Sequence, residues 1–223
     1  DVQNIVLVHG ANVDGSTWRG VYDRLTAEGF TVTVAQMPLT STDDDIAAVQ
    51  RVIDVQDGPM ILAGHSYGGV VVSEVGVDPD VRGLVYVAAF QPDVGESGGG
   101  LLASAPTEFT SDGLTIFDDG HYLIHEDTFI AVVGNGLSAE DAIYVARSQA
   151  ASSTAILEHE AQSAAWNARP SWSIIATLDR TIAPDLQRQM AERAGSTIVE
   201  IENGHMLPMT SPDEVAAVIR QAA

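Results

Sequence analysis

Apolar residues are distributed along this chain in two alternating rhythms. NIVLVHG (4–10), TVTVAQ (31–36), PMILAG (59–64), VRGLVYVAAF (81–90), SWSIIAT (171–177) and STIVEIE (196–202) are short runs in which neighbouring positions are apolar. Such runs predict strands buried on both faces. Between them the apolar residues recur at helical spacing. Trp18, Val21, Tyr22 and Leu25 form one such face, with Ser16 or Thr17 as its N-cap and Gly29 as its stop. Thr42 is expected to cap DDDIAAVQRVIDVQ, whose three aspartates fall in the first turn, where the helix dipole favours them. YGGVVVSEVGV predicts a helix despite its β-branched run. PDLQRQMAERAG (184–195) has Pro184 at its start and Gly195 at its end, and SPDEVAAVIRQAA (211–223) is expected to be capped by Ser211. Six strands separated by helices imply a mainly parallel sheet with helices on both faces, an α/β architecture.

Residues 91–168 break the alternation with the Gly-rich ESGGG, polar turns such as DDGH, and helical patterns around 126–134, 138–151 and 152–165. The expected organisation is a core of residues 1–90 and 169–223 and an inserted helical cap of residues 91–168. An insertion at the carboxyl end of a strand sits over the edge where α/β ligands bind, so a lid is expected.

Charge narrows the partners. The 223 residues carry 31 acidic and 10 basic side chains, a net charge of −21, and every basic residue is arginine. That surface repels phosphate backbones, which argues against nucleic-acid binding. A lysine-free acidic surface suits high salt, and a GC-rich coding bias would also favour arginine. No apolar run is long enough for a membrane span. Cysteine is absent, so disulfides, cysteine metal sites and a cysteine nucleophile are excluded. The sequence opens almost directly on IVLV, so the expectation is either a cytoplasmic protein or an exported one whose leader has been removed.

The chemistry is concentrated in GHSYGG (64–69). Gly64-His65-Ser66-Tyr67-Gly68 reads G-x-S-x-G between a predicted strand and a predicted helix, the setting of a nucleophile elbow. A serine nucleophile needs a base and the base needs an orienting acid. His205 follows the last strand and Asp179 follows the strand before it, so both leave the sheet at the same end as Ser66, in the chain order Ser, Asp, His. Asp93 is an alternative acid after the fourth strand. His9 and His65 are expected to be structural or pocket-lining, and His121, His125 and His159 to lie on the lid surface. His121 and His125 are four apart but have no clustered third ligand, so no metal is expected, nor any cofactor. The backbone N–H groups of Tyr67 and Ala11 are the expected oxyanion donors. Asn12 is a candidate for the pocket wall, as are Phe109, Phe117, Tyr122, Phe129 and Trp166 in the insertion and Met206 and Met209 beside His205.

LVHGANVDGSTW, GHSYGGVVVSE, LVYVAAF and the tail from LDRTIAPDLQ to DEVAAVI resemble α/β-hydrolase-fold proteins of the plant methylesterase and hydroxynitrile-lyase type and their bacterial relatives. The resemblance covers roughly residues 1–90 and 170–220. It implies triad roles for Ser66, Asp179 and His205, oxyanion roles for Ala11 and Tyr67, and a small mobile cap. The lyase members carry a threonine and a lysine where this chain has Gly10 and Met206, which makes it similar to the esterase branch and places both residues near the substrate. The implied activity is serine-dependent hydrolysis of a small to medium, mainly apolar carboxylic ester. A lactone or C–C bond hydrolase, a cofactor-free perhydrolase, and a ligand receptor on the same fold are the alternatives.

Overall fold

The computed structural model describes residues 2–223. The first part of the chain forms β1 (Asn4–Val8), α1 (Arg19–Ala27), β2 (Thr31–Ala35), α2 (Thr42–Asp54), β3 (Met60–His65), α3 (Gly68–Val75) and β4 (Val81–Val87). The inserted segment holds α4 (Gly98–Ser104), β5 (Leu114–Ile116), β6 (His121–Ile124), α5 (Glu126–Thr128), α6 (Ala139–Arg147), β7 (Ser152–Ser153) and α7 (Ala155–Glu158). The chain returns with β8 (Ser171–Ala176), α8 (Pro184–Ala194), β9 (Thr197–Ile201), α9 (Leu207–Thr210) and α10 (Pro212–Ala222).

The six expected strands form one sheet in the order β2-β1-β3-β4-β8-β9, with every neighbouring pair parallel. The apolar runs of the four inner strands are explained by two-sided burial, whereas the edge strands β2 and β9 are partly exposed. Ile5, Leu7, Ile61, Ala63, Val85 and Val87 face α1 and α10, where Trp18, Leu25, Val215 and Ile219 complete one layer. The alternate positions Val6, Val8, Leu62, Leu84 and Tyr86 face α2, α3 and α8 through Val49, Ile53, Val71, Leu186 and Met190. Chain order reverses between β1 and β3. Loops from these adjacent strands therefore open a crevice at the carboxyl edge of the sheet.

Two helix starts differ from expectation by one or a few residues. Ser41, not Thr42, caps α2 by accepting a hydrogen bond from Asp44 N–H, and Asp14 caps a short 3-10 turn, Gly15–Trp18, ahead of α1. Ser211 does precede α10, but its side chain makes no capping bond.

The insertion contains an element its helical pattern did not predict, a three-stranded antiparallel sheet in the order β5-β6-β7. Residues 152–165, expected to be helical, supply β7, the single turn of α7 and a short 3-10 turn, Ala165–Asn167. The ESGGG stretch leads into α4, capped by Ser97. Tyr122, Ile124, Phe129, Val133 and Val145 form the insertion's own core, joined from the main body by Val13 and Met206. Among the described residues no helix is long and apolar enough to cross a membrane.

Candidate active site

Strand β3 ends at His65, and Ser66 takes a left-handed backbone conformation with φ of 54°. A serine held there is strained, and the surroundings enforce it. Ser66 N–H donates to Val87 O at 3.2 Å, and Ser66 O accepts from Gly69 N–H at 3.0 Å and Phe90 N–H at 3.2 Å. The glycines allow the close approach. A Cβ on Gly64 would lie 2.6 Å from Gly68 O, and one on Gly68 would lie 2.6 Å from Val8 O. Ser66 is thereby pushed out at the crevice where β1 and β3 end.

His205 and Asp179 meet it there. His205 Nε2 lies 2.9 Å from Ser66 Oγ, and His205 Nδ1 lies 2.7 Å from Asp179 Oδ2. Asp179 also accepts from Thr181 N–H at 2.7 Å, Ile182 N–H at 3.0 Å and Gln187 Nε2 at 2.8 Å. With four donors the carboxylate is fixed in orientation. Its acceptance from Nδ1 leaves the Nε2 lone pair facing the serine hydroxyl. Asp93, the alternative acid, makes no bond to this group; its Oδ1 accepts from Val94 N–H in its own turn.

The other histidines are held by different partners. Met37 N–H donates to His9 Nε2 at 2.9 Å, so the proton is on Nδ1, which donates to Gly10 O at 2.8 Å. Burial lowers the pKa of His9 and keeps it neutral. His65 donates from Nε2 to His205 O at 2.8 Å, and its ring lies 4.9 Å from the His205 ring. Burial, reinforced by the neighbouring His205, pulls its pKa down to about 3. His65 therefore adds no positive charge beside His205. His159 departs from the surface expectation, because its side chain is mostly buried and pairs with Glu74 of α3 at 2.8 Å.

A cavity of about 40 Å³ adjoins Ser66 and His205, and Ala11, Asn12, Phe90, Leu102, Phe109, Tyr122, Leu157 and Thr181 stand on its wall. Ala11 and Tyr67 both border it, and neither backbone N–H has a partner among the described residues. Both are free to donate to a group in the cavity. Tyr67 donates its hydroxyl to Asp45 Oδ2 at 2.7 Å, with Thr42 Oγ1 3.0 Å away.

Several pocket expectations are redistributed. Gly10 does not line the cavity; a Cβ there would sit 3.0 Å from Ser66 Cβ, so glycine gives Ser66 room. Trp166 lies in the core beneath α8, its indole N–H donating to Pro92 O at 2.8 Å and Arg193 stacked on its ring, and it does not reach the cavity. Met206 is buried in the insertion's core and Phe129 with it, while Phe117 is exposed. Phe109, Tyr122 and Asn12 do line the cavity. A larger groove of about 520 Å³ between α4 and α8 contains none of the reactive residues, and its charged members Glu96 and Arg193 pair with each other.

Three residues escaped the sequence reading. Gln187 was visible only as a polar residue beside the apolar face of a helix, yet it bridges Asp179 Oδ2, Ile182 O and Ala176 N–H. Asp45 had the look of a helix-start acid and instead holds Tyr67. Thr181 carries a buried hydroxyl without a partner.

The parallel sheet with a serine elbow at its carboxyl edge defines an α/β-hydrolase architecture. The chain belongs to the alpha/beta hydrolase family, whose profile matches residues 5–218. It is 26% identical over 246 residues to "Alpha/beta hydrolase nvfD" of Aspergillus novofumigatus (strain IBT 16806), covering 98% of this chain and 96% of that protein. A carbendazim hydrolyzing esterase of Nocardioides sp. (strain SG-4G) is 35% identical over 116 residues, which is 46% of this chain and 48% of that one. The solved structure of a methylesterase from Arabidopsis superposes with a TM-score of 0.81 at 18% identity, covering 99% of this chain and 98% of that chain, as the resemblance to plant methylesterases predicts.

Proposed function

We propose that the protein hydrolyses small, uncharged carboxylic esters by way of an acyl-serine intermediate. The observation that carries this reading is the hydrogen-bonded series Asp179–His205–Ser66 opening onto an apolar cavity with two unpaired N–H groups. His205 Nε2 takes the Ser66 proton as Oγ attacks the carbonyl carbon. The oxygen that becomes negative is received by the N–H groups of Ala11 and Tyr67, a contribution worth about 10²–10³ in rate per donor. His205 then protonates the departing alcohol, activates a water for the second attack, and regenerates free Ser66.

The wall of the cavity bears on the substrate. It offers no cation to hold a substrate carboxylate, and its volume of about 40 Å³ favours a short group beside the carbonyl, with the insertion acting as a cap over it. The relative described as an esterase and the methylesterase of the same fold are consistent with ester chemistry.

Hydrolysis of p-nitrophenyl acetate, butyrate and octanoate by wild type and Ser66→Ala tests the reading. The expected result is turnover that favours the shorter esters and disappears in Ser66→Ala. Undiminished turnover in the variant, or a folded wild type inactive on every ester, would refute it.

A further inference from the structure

We infer that Asn12 is a clasp through which the inserted cap holds the oxyanion loop in its working shape, so that seating the cap and assembling the oxyanion hole are one event. The inference rests on the ester-hydrolase reading above and deepens it.

Ala11 lies between two fixed peptide groups. On its amino side, His9 Nδ1–H donates to Gly10 O at 2.8 Å. In a trans peptide the C=O and the following N–H point in opposite directions, so holding Gly10 O on the core side turns Ala11 N–H outward. On its carboxyl side the next peptide N–H belongs to Asn12, and that N–H donates to Ser152 Oγ of β7 at 2.9 Å. Both peptide planes flanking Ala11 are thus tied, one to the core and one to the cap.

Asn12 itself is bound by the cap three times. Besides the bond to Ser152, its carbonyl accepts from Ala150 N–H at 3.2 Å, and its Nδ2 donates to Tyr122 O of β6 at 3.2 Å. It is 1% exposed and has a φ of 60°, a left-handed conformation that asparagine tolerates better than most residues. All three partners belong to the cap sheet or the segment leading into it. Lifting that sheet would break the three bonds together and release the carboxyl side of Ala11. A preorganised donor loses much of its effect once it must be reoriented during the reaction. The cap would then control the rate of the chemical step as well as access to the cavity.

The alternative is that these bonds merely glue two parts of the molecule. Three variants separate the two roles. Ser152→Ala removes one acceptor, Asn12→Gly keeps the left-handed backbone while deleting the amide, and His159→Ala cuts a cap attachment to Glu74 that makes no hydrogen bond to the oxyanion loop. Steady-state hydrolysis of p-nitrophenyl butyrate is measured beside inhibition by a short-chain trifluoromethyl ketone, whose serine adduct places an oxyanion in the same hole. Ser152→Ala and Asn12→Gly should each lower kcat about tenfold with KM within twofold. Both should weaken the ketone by a similar factor, whereas His159→Ala should lower thermal stability and leave kcat and ketone affinity near wild type. Intact kcat in folded Ser152→Ala and Asn12→Gly, or a lowered kcat with unchanged ketone affinity, would overturn the clasp. A wild type without Ser66-dependent turnover would overturn the ester-hydrolase reading and the clasp with it, a result distinguishable from failure of the clasp alone.

Discussion

Asp179 accepts four hydrogen bonds, one of them from the ring nitrogen that sets the tautomer of His205. Asparagine in its place would present an N–H group to that ring and favour the wrong tautomer. Asp179→Asn should therefore lower kcat by about 10³–10⁴ with the fold retained, while Asp93→Asn should stay close to wild type. A severe Asp93→Asn defect with a mild Asp179→Asn effect would contradict the assignment. Asp45 makes a prediction of a different kind. Burial raises its carboxyl pKa from 3.8 to about 6 against the opposing hydrogen bonds of Tyr67 and Leu39. A folded-state pKa above the unfolded one gives a stabilising contribution that is complete below pH 3.8 and is lost as pH rises through about 6. Asp45→Asn lacks that titration, so its stability relative to wild type should climb between about pH 4 and pH 6 and level off above. Parallel urea-unfolding profiles for the two proteins would contradict this. At this scale the sequence pointed to Ser66, His205 and Asp179 because elbow, chain order and strand ends indicate the same three residues, and the fold brings them within hydrogen-bond distance of one another. It did not reveal Gln187 or Asp45, whose partners lie on other elements, nor that Trp166 is core, because an apolar ring in an insertion suits a pocket and a core equally well.

The elbow makes a matching prediction at the level of elements. Helix α3 starts so close to the end of β1 that a methyl group on Gly68 would stand 2.6 Å from Val8 O, a contact with backbone on both sides. Gly68→Ala should cost about 3 kcal/mol or more, read from the denaturant midpoint, because neither strand nor helix can yield without distorting Ser66. A loss under about 1 kcal/mol would show that the elbow is looser than described. The four inner strands were legible because burial on both faces leaves nearly continuous apolar runs, the edge strands β2 and β9 through their β-branched residues, and α8 because Pro184 and Gly195 mark its ends. The β5-β6-β7 sheet was not. Its strands are three, four and two residues long, too short to display a period-two pattern, and Ser152–Ser153 carries no apolar signal.

Over the whole molecule, the two apolar layers on either side of the sheet explain stability without reference to charge, and the charge acts on them as a separate term. A net charge of −21 repels itself, and exposed pairs such as Arg19–Asp23, Arg147–Glu126 and Arg220–Glu28 offset little of it. The melting temperature should therefore rise as sodium chloride increases from low concentration to about 1 M, where the screening length falls to roughly 3 Å. A flat profile would show that the acidic excess is too well spread to matter. Composition made the charge plain, but its effect depends on how the carboxylates are distributed over the folded surface.

The claim on which the rest depends is that Ser66 is the nucleophile activated by His205. Its most direct measurement is covalent labelling with diethyl p-nitrophenyl phosphate, followed by mass spectrometry of the digested protein. One phosphoryl adduct per chain on the peptide containing Ser66, formed in step with the loss of esterase activity and much more slowly in His205→Ala, is the predicted result. Inactivation with the label on another residue, or full activity remaining after Ser66 is modified, would contradict the account.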